Sequence, residues 1–150
     1  MQDTLGLLDH GPGLEPRVQA LDHPPTGPVQ RGVVHGDAAL LVAHTRAEEE
    51  TWYLPLFGTG PQVAERIRDS IADHDEIRGI IGEAAVQPAG SAVWWRTVRT
   101  VLAVSAEHLE HEERDVLPVW LPALSMSRRR ELGRQWCAFM AAWRPEVPAR

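Results

Sequence analysis

Three clusters of helix breakers divide this chain into four long segments, and each segment repeats a core-facing stripe in steps of three and four residues. The breakers are His23-Pro24-Pro25-Thr26-Gly27-Pro28, then Pro55-Leu56-Phe57-Gly58-Thr59-Gly60-Pro61, then Gln87-Pro88-Ala89-Gly90-Ser91. Segment one carries Leu7, His10, Leu14, Arg17 and Leu21. Segment two carries Asp37, Leu41, His44, Glu48 and Thr51, and segment three Val63, Ile67, Ser70, His74, Ile77 and Ile81. Segment four runs Trp94, Val98, Val101, Ser105, His108, Glu112, Asp115 and Val119 before Pro122 helps to end it. No alternation of period two is present, so the expected class is all-α.

Helices joined by short turns pack beside their sequence neighbours, which predicts an up-down-up-down antiparallel four-helix bundle over residues 1–122. A further short helix is expected after Leu124, capped by Ser125 or Ser127. Leu132, Trp136, Phe139, Met140 and Trp143 form its apolar side. Residues 123–150 are therefore expected to pack on the bundle within the same domain. Trp52, Trp94, Trp95 and Trp120 are expected in the core or at the bundle ends.

Charge and cysteine content narrow the function. With 15 basic and 21 acidic residues, the net charge of −6 argues against a nucleic-acid or anionic-membrane surface. Cys137 stands alone, so there is no disulfide framework and no Cys-rich zinc site. Its place on the apolar side of the last helix predicts a buried structural thiol. Nowhere do 18 apolar residues stand together, and Met1-Gln2-Asp3 opens no signal-peptide pattern; a cytoplasmic location is expected.

Chemistry enters through an internal echo. His-x-x-x-Glu-Glu occurs at His44, Glu48 and Glu49, and again at His108, Glu112 and Glu113. Positions i and i+4 share a helix face, so each pair offers an imidazole and a carboxylate to one point in space. Both histidines and both first glutamates fall on the core-facing stripe. Burying them without partners would cost several kcal/mol, a cost that a bound cation offsets.

Turn positions supply a second test, since residues at one height of an antiparallel pair lie equally far from the turn between them. His10 and His44 are centred on Gly27, His44 and His74 on Thr59, and His74 and His108 on Ser91, each within a breaker cluster. All four histidines are thus expected in one layer, with Glu48 and Glu112 one turn beyond. That set suits two metal ions bridged by carboxylates. Nitrogen and carboxylate donors without thiolate favour iron, then manganese, while admitting zinc or copper.

These residues resemble the hemerythrin-like, or HHE cation-binding, family. The resemblance is carried by Asp9-His10, by His44-x-x-x-Glu48-Glu49 closing on Pro55, by Asp73-His74-Asp75-Glu76-Ile77, and by His108-x-x-x-Glu112-Glu113 closing on Pro118. It implies a di-iron centre with His10, His44, His74 and His108 as terminal ligands and Glu48 and Glu112 as bridges. Two positions depart from the pattern. Oxygen-carrying members have a second histidine one turn after the ligand of helix three, where this chain has Arg78. His10 is followed by Gly11-Pro12-Gly13, a break that makes it the weakest-placed ligand.

Three functions remain open at this point. The first is a binding protein whose di-iron centre binds or senses oxygen, nitric oxide or iron, with a protein partner to receive the signal. The second is a di-iron redox enzyme acting on peroxide, oxygen or nitric oxide, with Glu49 and Glu113 as conceivable proton carriers. The third is a metal-free helical interaction module. His111, three residues from His108, suits a surface or supporting place better than ligation.

Overall fold

A computed structural model describes residues 28–144, so segment one, with His10, lies outside the described residues, as do residues 145–150. Within that range all regular structure is helical and no strand occurs. The long helices are α1 (Pro28–Glu48), α2 (Pro61–Ala85), α3 (Ala92–His111) and α4 (Met126–Ala142). Their starts follow from local chemistry. α2 opens with Pro61, whose missing N–H is no loss in a first turn. Ser91 caps α3 by accepting from the Trp94 N–H at 3.1 Å, and Ser125 caps α4 by accepting from the Arg128 N–H at 3.2 Å. The turn before α3 needs one left-handed residue, and Gly90 supplies it with φ 84°.

α1 and α3 do not simply end at their glutamates. α1 passes into a π-helical segment, Glu49–Tyr53, and then a single turn, Leu54–Leu56. α3 passes into a second π-helical segment, Glu112–Val116, followed by Leu117–Trp120. Each widening closes on a five-residue hydrogen bond, Leu54 N–H to the Glu49 carbonyl and Leu117 N–H to the Glu112 carbonyl. The cause lies one residue on. Pro55 and Pro118 lack an N–H and would strike the carbonyl four residues back, and the wider turn relieves both conflicts.

The wider turn also corrects the predicted stripe. One extra residue rotates the helix face by about 100°. Val116, Leu117 and Trp120 therefore enter the core, whereas Asp115 and Val119 do not.

Two apolar clusters result. The larger joins Trp52, Tyr53, Leu56, Val63, Ile67, Val116, Leu117 and Trp120 to Leu132 of α4, with Trp136 packed against it. The smaller gathers Trp94, Trp95 and Val98. The four tryptophans named from the sequence are all buried. α4 is secured at its start by Arg129, which donates to the carbonyls of Leu121 and Leu124. Cys137 is exposed, contrary to expectation, because α4 turns Leu132 and Trp136 inward and leaves position 137 on the open side. No helix among the described residues is long and apolar enough to cross a membrane.

Candidate metal centre

Five of the six sequence-predicted ligands lie on described elements: His44 and Glu48 at the end of α1, His74 in the middle of α2, His108 near the end of α3, and Glu112 at the start of its π segment. Glu48, His74 and His108, all buried, each offer one ligand atom within 4.8 Å of the others. His74 Nε2 faces His108 Nε2 at 3.0 Å and Glu48 Oε2 at 3.2 Å. His44 Nε2 reaches Glu48 Oε1 at 2.7 Å. Glu112 accepts a 2.8 Å hydrogen bond from the Tyr53 hydroxyl. The structure thus gathers these groups around Glu48.

The local electrostatics are those of a site built for positive charge. Burial alone would raise the Glu48 carboxyl, but His44 and His74 hold it far below the ordinary carboxylate range. Burial pushes Glu112 well above that range, and the Glu48 charge pushes it further, as for any two carboxylates sharing one pocket. Burial opposes protonation of His44 and His74, yet Glu48, joined at His74 by Glu49, holds both imidazoles above their usual value. His108 is depressed by burial and by His74.

Whether these residues fit a cation can be tested on Glu48. Both of its oxygens are fully buried and neither receives a properly directed hydrogen bond, despite imidazole nitrogens at 2.7 and 3.2 Å. In this structure the partners of that buried carboxylate are the two imidazoles it holds above their usual value, and a bound metal cation would take over their part. The two facing imidazole nitrogens can share one proton between them or turn both lone pairs to a cation. The donor set is nitrogen and oxygen, suited to iron or manganese. The residues fit.

Around them stands a ring of supporting groups, of which the sequence had pointed only to Glu49 and His111. Glu49 is not a solvated carboxylate: its Oε1 lies 3.0 Å from His74 Nδ1 and accepts from Arg78 Nη1 at 2.7 Å. Asp73 Oδ2 lies 3.4 Å from His108 Nδ1 and 3.2 Å from His111 Nδ1, which gives His111 a supporting place. The Tyr53 ring stacks on His74 with centroids 5.5 Å apart. From α4, Trp136 stands edge-on to His44 at 5.6 Å and stacks on Trp52 at 6.1 Å. One signal was available for Tyr53, because Leu54-Pro55 announces the wider turn that swings it inward.

Burial also raises the Tyr53 phenol well above its ordinary value, with Glu112 and Glu48 adding to the effect, so the hydroxyl remains a proton donor. Tyr53→Phe removes that donor and leaves a buried acceptor on Glu112. The expected cost is about 1 to 3 kcal/mol in urea unfolding of the metal-free protein. An unchanged midpoint would show that the bond contributes nothing.

Among the described residues the fold is helical, and buried imidazole and carboxylate donors converge from three helices, the arrangement of a helical cation-binding protein. The model of the hemerythrin HHE cation binding domain matches residues 37–120, more than half of the chain, and the protein belongs to that family. Searches of curated proteins and of solved structures give no match. Membership implies cation binding.

Proposed function

We propose that this protein is a non-heme di-iron protein of the up-down-up-down bundle type that binds or senses oxygen, nitric oxide or iron. The observation that carries the reading is the buried cluster of Glu48, His74 and His108 with both Glu48 oxygens lacking a directed donor. His44, His74 and His108 would hold the iron through nitrogen, and Glu48 and Glu112 would supply carboxylate oxygens. His10 belongs to the same proposal as the ligand brought by segment one.

When bound, an iron pair supplies exchangeable coordination positions for small diatomic ligands and one-electron chemistry. The chain's own residues shape that chemistry. Tyr53 holds its proton at the phenol oxygen and aims it at Glu112. Trp136 packs edge-on against His44 and is backed by Trp52, which places apolar surface on that side. Glu49 and Asp73 hold the Nδ1 sides of His74 and His108, leaving Nε2 turned inward.

The competing enzymatic reading, turnover of peroxide, oxygen or nitric oxide, is separated by one experiment. Iron-loaded protein is reduced, then exposed to air or nitric oxide while its charge-transfer absorption is followed. We expect bands that appear and reverse over repeated cycles, and none in His108→Ala. Irreversible bleaching with product formation would favour the enzyme, and bands that persist in His108→Ala would overturn the ligand set.

A further inference from the structure

We propose that Arg78 and Glu49 form a positioning pair for the metal centre, in which Arg78 clamps Glu49 and Glu49 holds His74 with Nε2 turned to the cation. The inference rests on the metal-centre reading above and assigns residues that do not themselves ligate.

One Glu49 oxygen, Oε1, faces both His74 Nδ1 at 3.0 Å and Arg78 Nη1 at 2.7 Å. Arg78 is fixed independently. Its Nη1 also donates to Thr45 Oγ1 at 3.2 Å, and its Nη2 donates to Asp75 Oδ1 at 2.6 Å. The guanidinium fork therefore ties α1 to α2 at the height of the site. His74 has no exposed side-chain surface, so no water competes for its Nδ1.

A neutral imidazole carries a single N–H, and the group bound to one nitrogen decides which nitrogen is left to bind metal. Carboxylates flank both ring nitrogens, and Glu49, closer at 3.0 Å and fixed by Arg78, holds the proton at Nδ1 against Glu48 at 3.2 Å from Nε2. The lone pair of Nε2 then faces Glu48 Oε2 and His108 Nε2, the atoms among which a cation would sit.

Charge gives the reason for the arginine. Glu48 and Glu49 are consecutive, and a second carboxylate beside a buried anion is costly unless it is compensated. Arg78 provides that compensation from the helix that also carries His74. Burial would raise the Glu49 carboxyl, but His74 and Arg78 hold it below the ordinary range. At the position where the resemblance led us to look for a further ligand, this chain has instead the residue that organises one. Asp73 plays a looser version of the part of Glu49, more exposed and shared between His108 and His111.

The test has a metal-free arm and a metal arm, both on the full chain. In ¹⁵N NMR of the metal-free protein at alkaline pH, the wild-type His74 ring is expected to carry its proton on Nδ1, and Glu49→Leu is expected to move it to Nε2. With cobalt(II) as the probe, Glu49→Gln and Arg78→Met should each weaken binding about 10- to 100-fold, with Arg78→Lys recovering part of the loss. Glu49→Gln keeps the shape and an acceptor, which protects folding. A wild-type Nε2–H tautomer overturns the proposal, as does unchanged cobalt affinity in both Glu49→Gln and Arg78→Met. A wild type that binds no cobalt overturns the metal reading itself, and the pair's role with it.

Discussion

His74→Ala is expected to abolish the rise in melting temperature that iron(II) or cobalt(II) produces in the wild type. A ligand present at about 100 times its dissociation constant stabilises a fold by about 2.7 kcal/mol. For a helical unit of this size that corresponds to roughly 5 to 15 °C. His74 is the residue to remove because it touches everything else. It faces Glu48 and His108 through Nε2, faces Glu49 through Nδ1, and stacks on Tyr53. Its loss takes away a nitrogen donor and leaves Glu48 and Glu49 without their shared imidazole. Two effects then need separating. The metal-free melting temperature should fall because a buried ring is replaced by a void, and the metal-dependent increment should vanish. Scanning differential calorimetry with and without the ion reads both. A full increment in His74→Ala would show that the ion binds elsewhere.

Trp52→Ala is expected to cost about 3 to 5 kcal/mol in urea or thermal unfolding of the metal-free protein. The side chain is 1 % exposed and lies between Trp120, at 6.0 Å, and Trp136 of α4, at 6.1 Å. It joins the π segment that follows Glu48 to the helix that covers His44. Leu54→Ala, two residues away and 67 % exposed, should change stability by no more than about 0.5 kcal/mol. A Trp52→Ala cost below about 1 kcal/mol would mean that α4 is not packed on this segment.

The burial pattern along the helices shows where the sequence was legible and where it was not. The stripes through Leu41 and Glu48, through Ile67, Ser70 and His74, and through Val98, Ser105 and His108 all run inward as read, because a regular helix keeps its period. Beyond Glu112 the period is lost, whereas beyond Glu48 the predicted Thr51 is still buried. Proline seven residues after one glutamate and six after the other forces a wider turn, and a single inserted residue exchanges the inner face for the outer.

The candidate site divides in the same way. Donor atoms that share a helix face could be read from spacing, and so could the layer formed by His74 and His108 around the Ser91 turn. Partners reached by long side chains across helices could not. Arg78 stood out only as the absence of a histidine, yet its reach to Glu49 depends on side-chain length and on how close α1 and α2 pack, neither of which spacing encodes. Glu49 read as a proton carrier beside the ligands, and its hold on His74 was hidden for the same reason. Cys137 adjoins an apolar stripe by one position, and one position on a helix is enough to face solvent.

The most direct measurement of the central claim is X-ray absorption at the iron edge of wild-type protein loaded with iron(II) and desalted. Bound iron with a shell of nitrogen and oxygen, outer-shell scattering from several imidazoles, and loss of part of that scattering in His108→Ala is the predicted result. Iron that washes away on desalting, or a shell of oxygen donors with no imidazole scattering, would contradict it.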